Sequence, residues 1–156
     1  MSHELVKWLH ILSSTVLFGT GIGTAFHLFV TWRRGSAEAF ATAARHTVLA
    51  DWLFTLPAGI FQPLSGLWLA HLLGWDFTES WLVATYGLYV LALACWLPVV
   101  AIQIKVARLA TDSVAAGQPV PGAAHRLMWV WFALGWPAFV ALSVVFWLMV
   151  TKPTLW

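Results

Sequence analysis

Six histidines carry most of the chemistry this chain offers, and four of them lie inside or at the ends of long apolar runs. An ionisable group at membrane depth is costly and usually functional. His10 sits about five residues inside one end of the first apolar run, roughly 8 Å deep at 1.5 Å per residue. His71 lies at similar depth, near the same-side end of the second run. His27 approaches the opposite end of the first run, where His46 and His125 also fall, while His3 belongs to the N-terminal tail. Neutral imidazoles facing one another across two helices can hold a haem iron, with the porphyrin wedged between apolar side chains. The expected cofactor is therefore haem b, in one or two copies. His10 pairs best with His71 in an outer layer, and His27 pairs with His125 or His46 in an inner one. Arg126, with Arg45 and Arg108, is a candidate for the propionates, although headgroup anchoring is the default role of such arginines. The bland reading of each histidine is an interfacial or hydrogen-bonded side chain. Zinc fits less well, because a structural site needs four close ligands. Without a Cys-x-x-Cys-His motif, any haem is held without thioether links.

The elements that must position these side chains follow from composition. Charged residues make up 9% of the 156 positions and hydrophobic residues 61%, with a mean hydropathy of +0.82. A soluble domain carries roughly 25% charged residues, so this surface faces lipid. Eight basic residues are too few for a nucleic-acid groove despite a pI near 9.0. Lone Cys95 reads as a small packing hydrophobe and excludes a disulfide within one chain. Four apolar runs, at about 4–32, 48–74, 81–106 and 124–150, each exceed the ~20 residues that cross a bilayer. The first is too long for a signal-peptide core and is expected to span. Ser36-Ala37-Glu38 fits a helix start with an acid in its first turn. The expected fold is all-α: a single domain forming an up-down-up-down four-helix transmembrane bundle.

Arg33, Arg34, Arg45, Lys105, Arg108 and Arg126 flank one side, and only Lys7 and Lys152 flank the other. The bias predicts both termini on the non-cytoplasmic side of a bacterial inner membrane. Trp8, Trp75, Trp81 and Trp156 on one side and Trp32 on the other fit aromatic belts. Pro57 and Pro63 bend the second helix and open room near its middle. Gln62 is expected to satisfy the kinked backbone, and Asp51 to cap a helix or pair with Arg45 or an inner histidine. His10 and His27 are 17 residues apart, which turns them about 100° from each other. Gly19, Gly23 and His27 form a small-residue stripe suited to close helix packing, including a homodimer.

Lys7-Trp8-Leu9-His10-Ile11, followed by His27-Leu28-Phe29-Val30, resembles the first helix of HemJ-type protoporphyrinogen oxidases. Thr55-Leu56-Pro57-Ala58 with Gly66-Leu67-Trp68-Leu69 is similar to that family's second helix. His125-Arg126, Pro137 and Thr151-Lys152-Pro153 are similar to its last. The chain also resembles the related uncharacterised four-helix proteins near the CopD-like group, and sits better with those relatives. The resemblance implies a haem-associated four-helix fold with His10 as a ligand. Two departures weigh against the oxidase activity: no lysine stands near Ala84-Thr85-Tyr86, and His27 replaces an arginine. The leading expectation is a small b-type cytochrome transferring single electrons, with quinone or a redox protein as partner. A porphyrinogen oxidase and a non-haem transporter or packing subunit are the rivals.

Overall fold

The computed structural model describes residues 2–156 and is all-helical, with no strand among them. Helix α1 spans His3–Arg34, α2 Ala37–Ala50, α3 Leu56–Leu72, α4 Ser80–Ala115 and α5 Gly122–Thr151. A π-helical turn, Asp51–Thr55, joins α2 to α3 without a break, so Ala37–Leu72 is one continuous rod of 36 residues. Four rods are thus long and apolar enough to cross a membrane. At ~1.5 Å per residue a 36-residue rod is about 54 Å long, well beyond the ~30 Å hydrocarbon layer. The second and third rods extend past the apolar windows at 48–74 and 81–106, beginning at Ala37 and ending at Ala115.

Those extensions are helical because local signals favour helix beyond the apolar window. Ser36 caps α2 by accepting from the Ala39 N–H at 3.2 Å, with Glu38 in the first turn, which satisfies an otherwise orphaned donor. Alanine faces from α2 and α4 then allow close approach. Ala41, Ala43 and Ala44 join Ala107 and Ala110 in one buried cluster with Leu28, Trp32, Phe40, Val106 and Met128. Helix α3 ends where Gly74 takes φ +70° and the Trp75 N–H reaches back to Ala70 O at 2.9 Å. Gly117 does the same after α4, with φ +62° and Gln118 N–H on Ser113 O at 2.9 Å. Both are left-handed closures that glycine adopts without a Cβ penalty.

Neighbouring rods run antiparallel and close a ring. His10 meets Ser65, and Leu17 approaches Gly59, so α1 and α3 run in opposite directions. Gln103 lies against Asp51, and Tyr89 against Gly59, which sets α4 against the second rod. Trp32 meets His125 and Phe18 meets Phe146, which brings α5 back to α1. The second rod is inside-out compared with a soluble helix. Its buried stripe is Asp51, Thr55, Ala58, Gln62, Ser65 and Leu69, spaced four and three residues apart. Its outward residues include Trp52, Leu53, Ile60, Leu64 and Trp68. Lipid solvates apolar side chains as well as any core does, so polar groups gather where helices can satisfy them.

Candidate functional site

The centre of the ring is not filled. A cavity of about 1060 Å³ lies between α1, α3, α4 and α5. Two local features of the second rod make room for it. Pro57 has no N–H to continue an α-helical ladder, and the wide turn just before it closes through the Leu56 N–H on Asp51 O. Pro63 likewise leaves the Gly59 carbonyl without its intrahelical donor. The Tyr89 hydroxyl of α4 donates to that carbonyl. Gly21, Gly59 and Gly135 add no side chains to the lining. The bend expected from Pro57 and Pro63 is thus a wide turn beside an open space.

Most of the lining is aromatic or aliphatic; Asp51, Thr55 and Gln103 lie at the end nearer the arginines, with Tyr89 and Ser143 farther along. Asp51 is 5% exposed. With the Gln103 amide turned to suit its neighbours, its nitrogen donates to Asp51 Oδ2 at 2.5 Å and its oxygen accepts from Trp131 Nε1 at 3.1 Å. This orientation is assigned from the hydrogen-bond network. Thr55 and Trp96 stand beside the carboxylate. Thr55, only 8% exposed, points its hydroxyl at the same carboxylate. Asp51 does not pair with Arg45, whose guanidinium instead donates to Thr111 and Thr42 at 3.2 Å each. Gln103, Thr55, Tyr89 and Trp131 were not singled out by sequence. Gln103 was the legible one, as an amide inside an apolar run.

His10 is the most carefully held histidine. Its Nδ1 lies 2.7 Å from Ser65 Oγ, and the Gln62 amide donates to its backbone oxygen at 2.8 Å. Gln62 therefore links α1 to α3 rather than mending the backbone near Pro63. Ser65 has one hydroxyl proton and sits 2.7 Å from Phe61 O, one helical turn back. A helical serine commonly spends its proton there, so the imidazole Nδ1–H donates and Nε2 keeps its lone pair. Gly66 makes room for the ring, since a Cβ there would come within 3.3 Å of His10 Cε1.

The other expected ligands are dispersed. His71 is exposed, six residues beyond Ser65 on the same helix, which turns it about 120° away from the His10 face. His27 and His46 are exposed. Gly19 and Gly23 have nothing within 4 Å of a built Cβ, so their stripe with His27 points out of the bundle and packs no helix of this chain. His125 accepts from Trp32 Nε1 at 2.8 Å through Nδ1, which commits that nitrogen. Arg126 borders a separate small cleft with Lys105. No histidine, lysine or arginine lines the central cavity. No group of three or more His, Cys, Asp or Glu converges among the described residues.

With that geometry in hand, the family model described as "Predicted integral membrane protein (DUF2269)" matches residues 4–153. The chain belongs to that family. The DUF2269 match covers all four rods and both polar groupings, the Asp51 cluster and the His10 cradle. No curated protein and no solved structure matches the chain.

Proposed function

We propose that this DUF2269 protein binds a neutral, ring-bearing apolar molecule of the quinone class, taken from the bilayer into its central cavity. The observation that carries the reading is the buried polar group of Asp51, Thr55 and Gln103 bordering a largely apolar space. Sites for small organic molecules occupy ~300–1,000 Å³ and combine apolar walls with a few placed polar groups. Thr55 supplies a donor for a quinone carbonyl. Asp51 supplies an acceptor for a hydroquinone O–H. The lack of any lining cation beside a buried acid favours a neutral head. Several lining residues, among them Phe26, Leu64 and Trp136, are at least 60% exposed, so the walls continue to the lipid-facing surface and offer sideways entry.

The test is a titration of purified protein in micelles with a short-chain ubiquinone analogue. Quenching of tryptophan fluorescence is a suitable signal, because Trp96, Trp131, Trp136 and Trp147 border the cavity. Saturable quenching is expected, weakened about tenfold or more by Asp51→Leu, as for loss of one hydrogen bond to a charged or strongly polar group. Gly135→Trp, which places an indole in the space, removes it. Quenching that rises without saturation, or is identical in both variants, refutes the proposal.

Haem b is a second reading, favoured by one observation: His10 Nε2 is free while Nδ1 is held, the arrangement common to histidine ligands. The cavity itself does not suit haem. It has no histidine for the iron and no cation for the propionates, and His71 faces elsewhere. Any haem on His10 has to lie along the flank of the α1–α3 pair, and one-electron transfer by this protein rests on that reading. An absorption spectrum after reduction, compared with His10→Ala, decides it. A colourless preparation from haem-replete cells removes haem and leaves the quinone reading intact. The charge bias favours termini on the non-cytoplasmic side, and four apolar helices suit a bacterial inner membrane.

A further inference from the structure

Six of the eight basic residues, all but Lys7 and Lys152, lie at one end of the bundle. Most are scattered around its rim, but Lys105 of α4 and Arg126 of α5 border one cleft of about 260 Å³, floored by Ala123, Leu127 and Val130. Arg126 lies close enough to Gly122 that a Cβ there would be 3.8 Å from its guanidinium. The glycine leaves the arginine free to fold beside the start of its own helix. The nearest acid in sequence, Asp112, falls on the same face of α4 as Lys105 but two turns farther from the membrane, about 10 Å along the axis.

The order of groups along the cleft decides what suits it. Gln103 meets Trp131 across the antiparallel pair, so Lys105 lies near the level of Val130 and Arg126 stands about one turn nearer the rim. Leu127 follows Arg126 directly, and Val130, 49% exposed, lies about one turn deeper toward the apolar middle of α5. Two positive charges about one turn apart, flanked by Leu127 and Val130 on the lipid-facing side, complement a phospholipid whose phosphate is anionic and whose chains enter the bilayer. Basic pockets between membrane helices recognise such headgroups, and arginine adds a fork that matches phosphate oxygens.

We infer that the Lys105–Arg126 cleft is a binding site for an anionic phospholipid, which clasps α4 to α5 at the basic end. A free inorganic anion satisfies the two charges but makes no use of Leu127 and Val130, so the lipid is the occupant that uses the whole cleft. This site is independent of the central cavity.

Native mass spectrometry of the protein released from detergent, titrated with phosphatidylglycerol or phosphatidylcholine, tests the inference. One phosphatidylglycerol is expected to bind in preference to phosphatidylcholine. Lys105→Ala/Arg126→Ala is expected to weaken that binding about 30-fold, the ordinary effect of a basic residue at an anionic surface taken twice. Lys7→Ala/Lys152→Ala, at the other end, should leave it unchanged. Arg126→Gln alone, at an exposed position, gives an intermediate loss and guards against misfolding of the double variant. Equal affinity for the two lipids overturns the site. So does full retention in the double variant, or displacement of phosphatidylglycerol by millimolar inorganic phosphate.

Discussion

The cavity wall depends on a carbonyl that proline orphaned and tyrosine rescued, and the two residues should be energetically coupled. Pro63 has no N–H to donate to Gly59 O, and the Tyr89 hydroxyl takes its place. Tyr89→Phe keeps the ring and removes only the donor. Leaving a buried carbonyl unsatisfied costs ~1–3 kcal/mol. Measured hydrogen-bond couplings between membrane helices average only ~0.6 and reach ~1.7 kcal/mol, so about 1 kcal/mol is expected here. Pro63→Ala restores a backbone donor at position 63, which makes the tyrosine bond redundant. In that background Tyr89→Phe should cost close to nothing, giving a coupling of about 1 kcal/mol between the two sites. Reversible unfolding of the four chains in mixed micelles of sodium dodecyl sulfate and dodecylmaltoside, followed by far-ultraviolet circular dichroism, measures the cycle. Additive effects, within the ~0.3–0.5 kcal/mol seen for independent sites, refute the argument. A Tyr89→Phe protein as stable as wild type with Pro63 intact refutes it equally.

Three other outcomes follow from named contacts. Gln103→Leu strips Asp51 of its amide partner and should destabilise the fold by about 1–3 kcal/mol, whereas adding Asp51→Leu recovers much of that loss, because no polar group is then stranded; the same micelle unfolding assay reads both. Gly66→Ala pushes a methyl to within 3.3 Å of His10 Cε1. It should loosen the imidazole from Ser65, and nitrogen NMR is expected to report a mixture of His10 tautomers where wild type has Nδ1–H alone. In the loop between α3 and α4, the Thr78 N–H and hydroxyl hold the Asp76 carboxyl below the usual carboxylate range. Because its folded pKa is depressed, the stabilisation it gives is complete above the unfolded value of about 4 and fades as pH falls through the folded one. Asp76→Asn should therefore flatten the acid side of the stability profile, as followed by thermal unfolding against pH.

The number of rods, their membrane character and their order were legible in the sequence, because each is a local property. An apolar stretch longer than the hydrocarbon thickness needs no partner to declare itself. Ser36 as a helix start, Pro57 and Pro63 as disturbances of the second rod, and Cys95 as a buried side chain were equally local. Helix ends were less so. Ala37 and Ala115 lie outside the apolar windows, and their helices persist through capping and through alanine faces that meet only after folding.

The chemistry was harder to read, since equal depth is not equal direction. His10 and His71 share a level, but α3 presents Ser65 and Gly66 to α1 and turns His71 some 120° aside. Sequence alone determined a four-rod membrane protein with its positive charge gathered at one end, for hydropathy and charge count act residue by residue. Only the tertiary structure decided that Gln103, rather than Arg45, meets Asp51, that Tyr89 serves the carbonyl freed by Pro63, and that the central space lacks histidine. Those facts depend on how each helix is rotated about its own axis. That rotation is set by the packing of all four rods together, and in lipid no one-sided hydrophobic pattern along the chain announces it in advance.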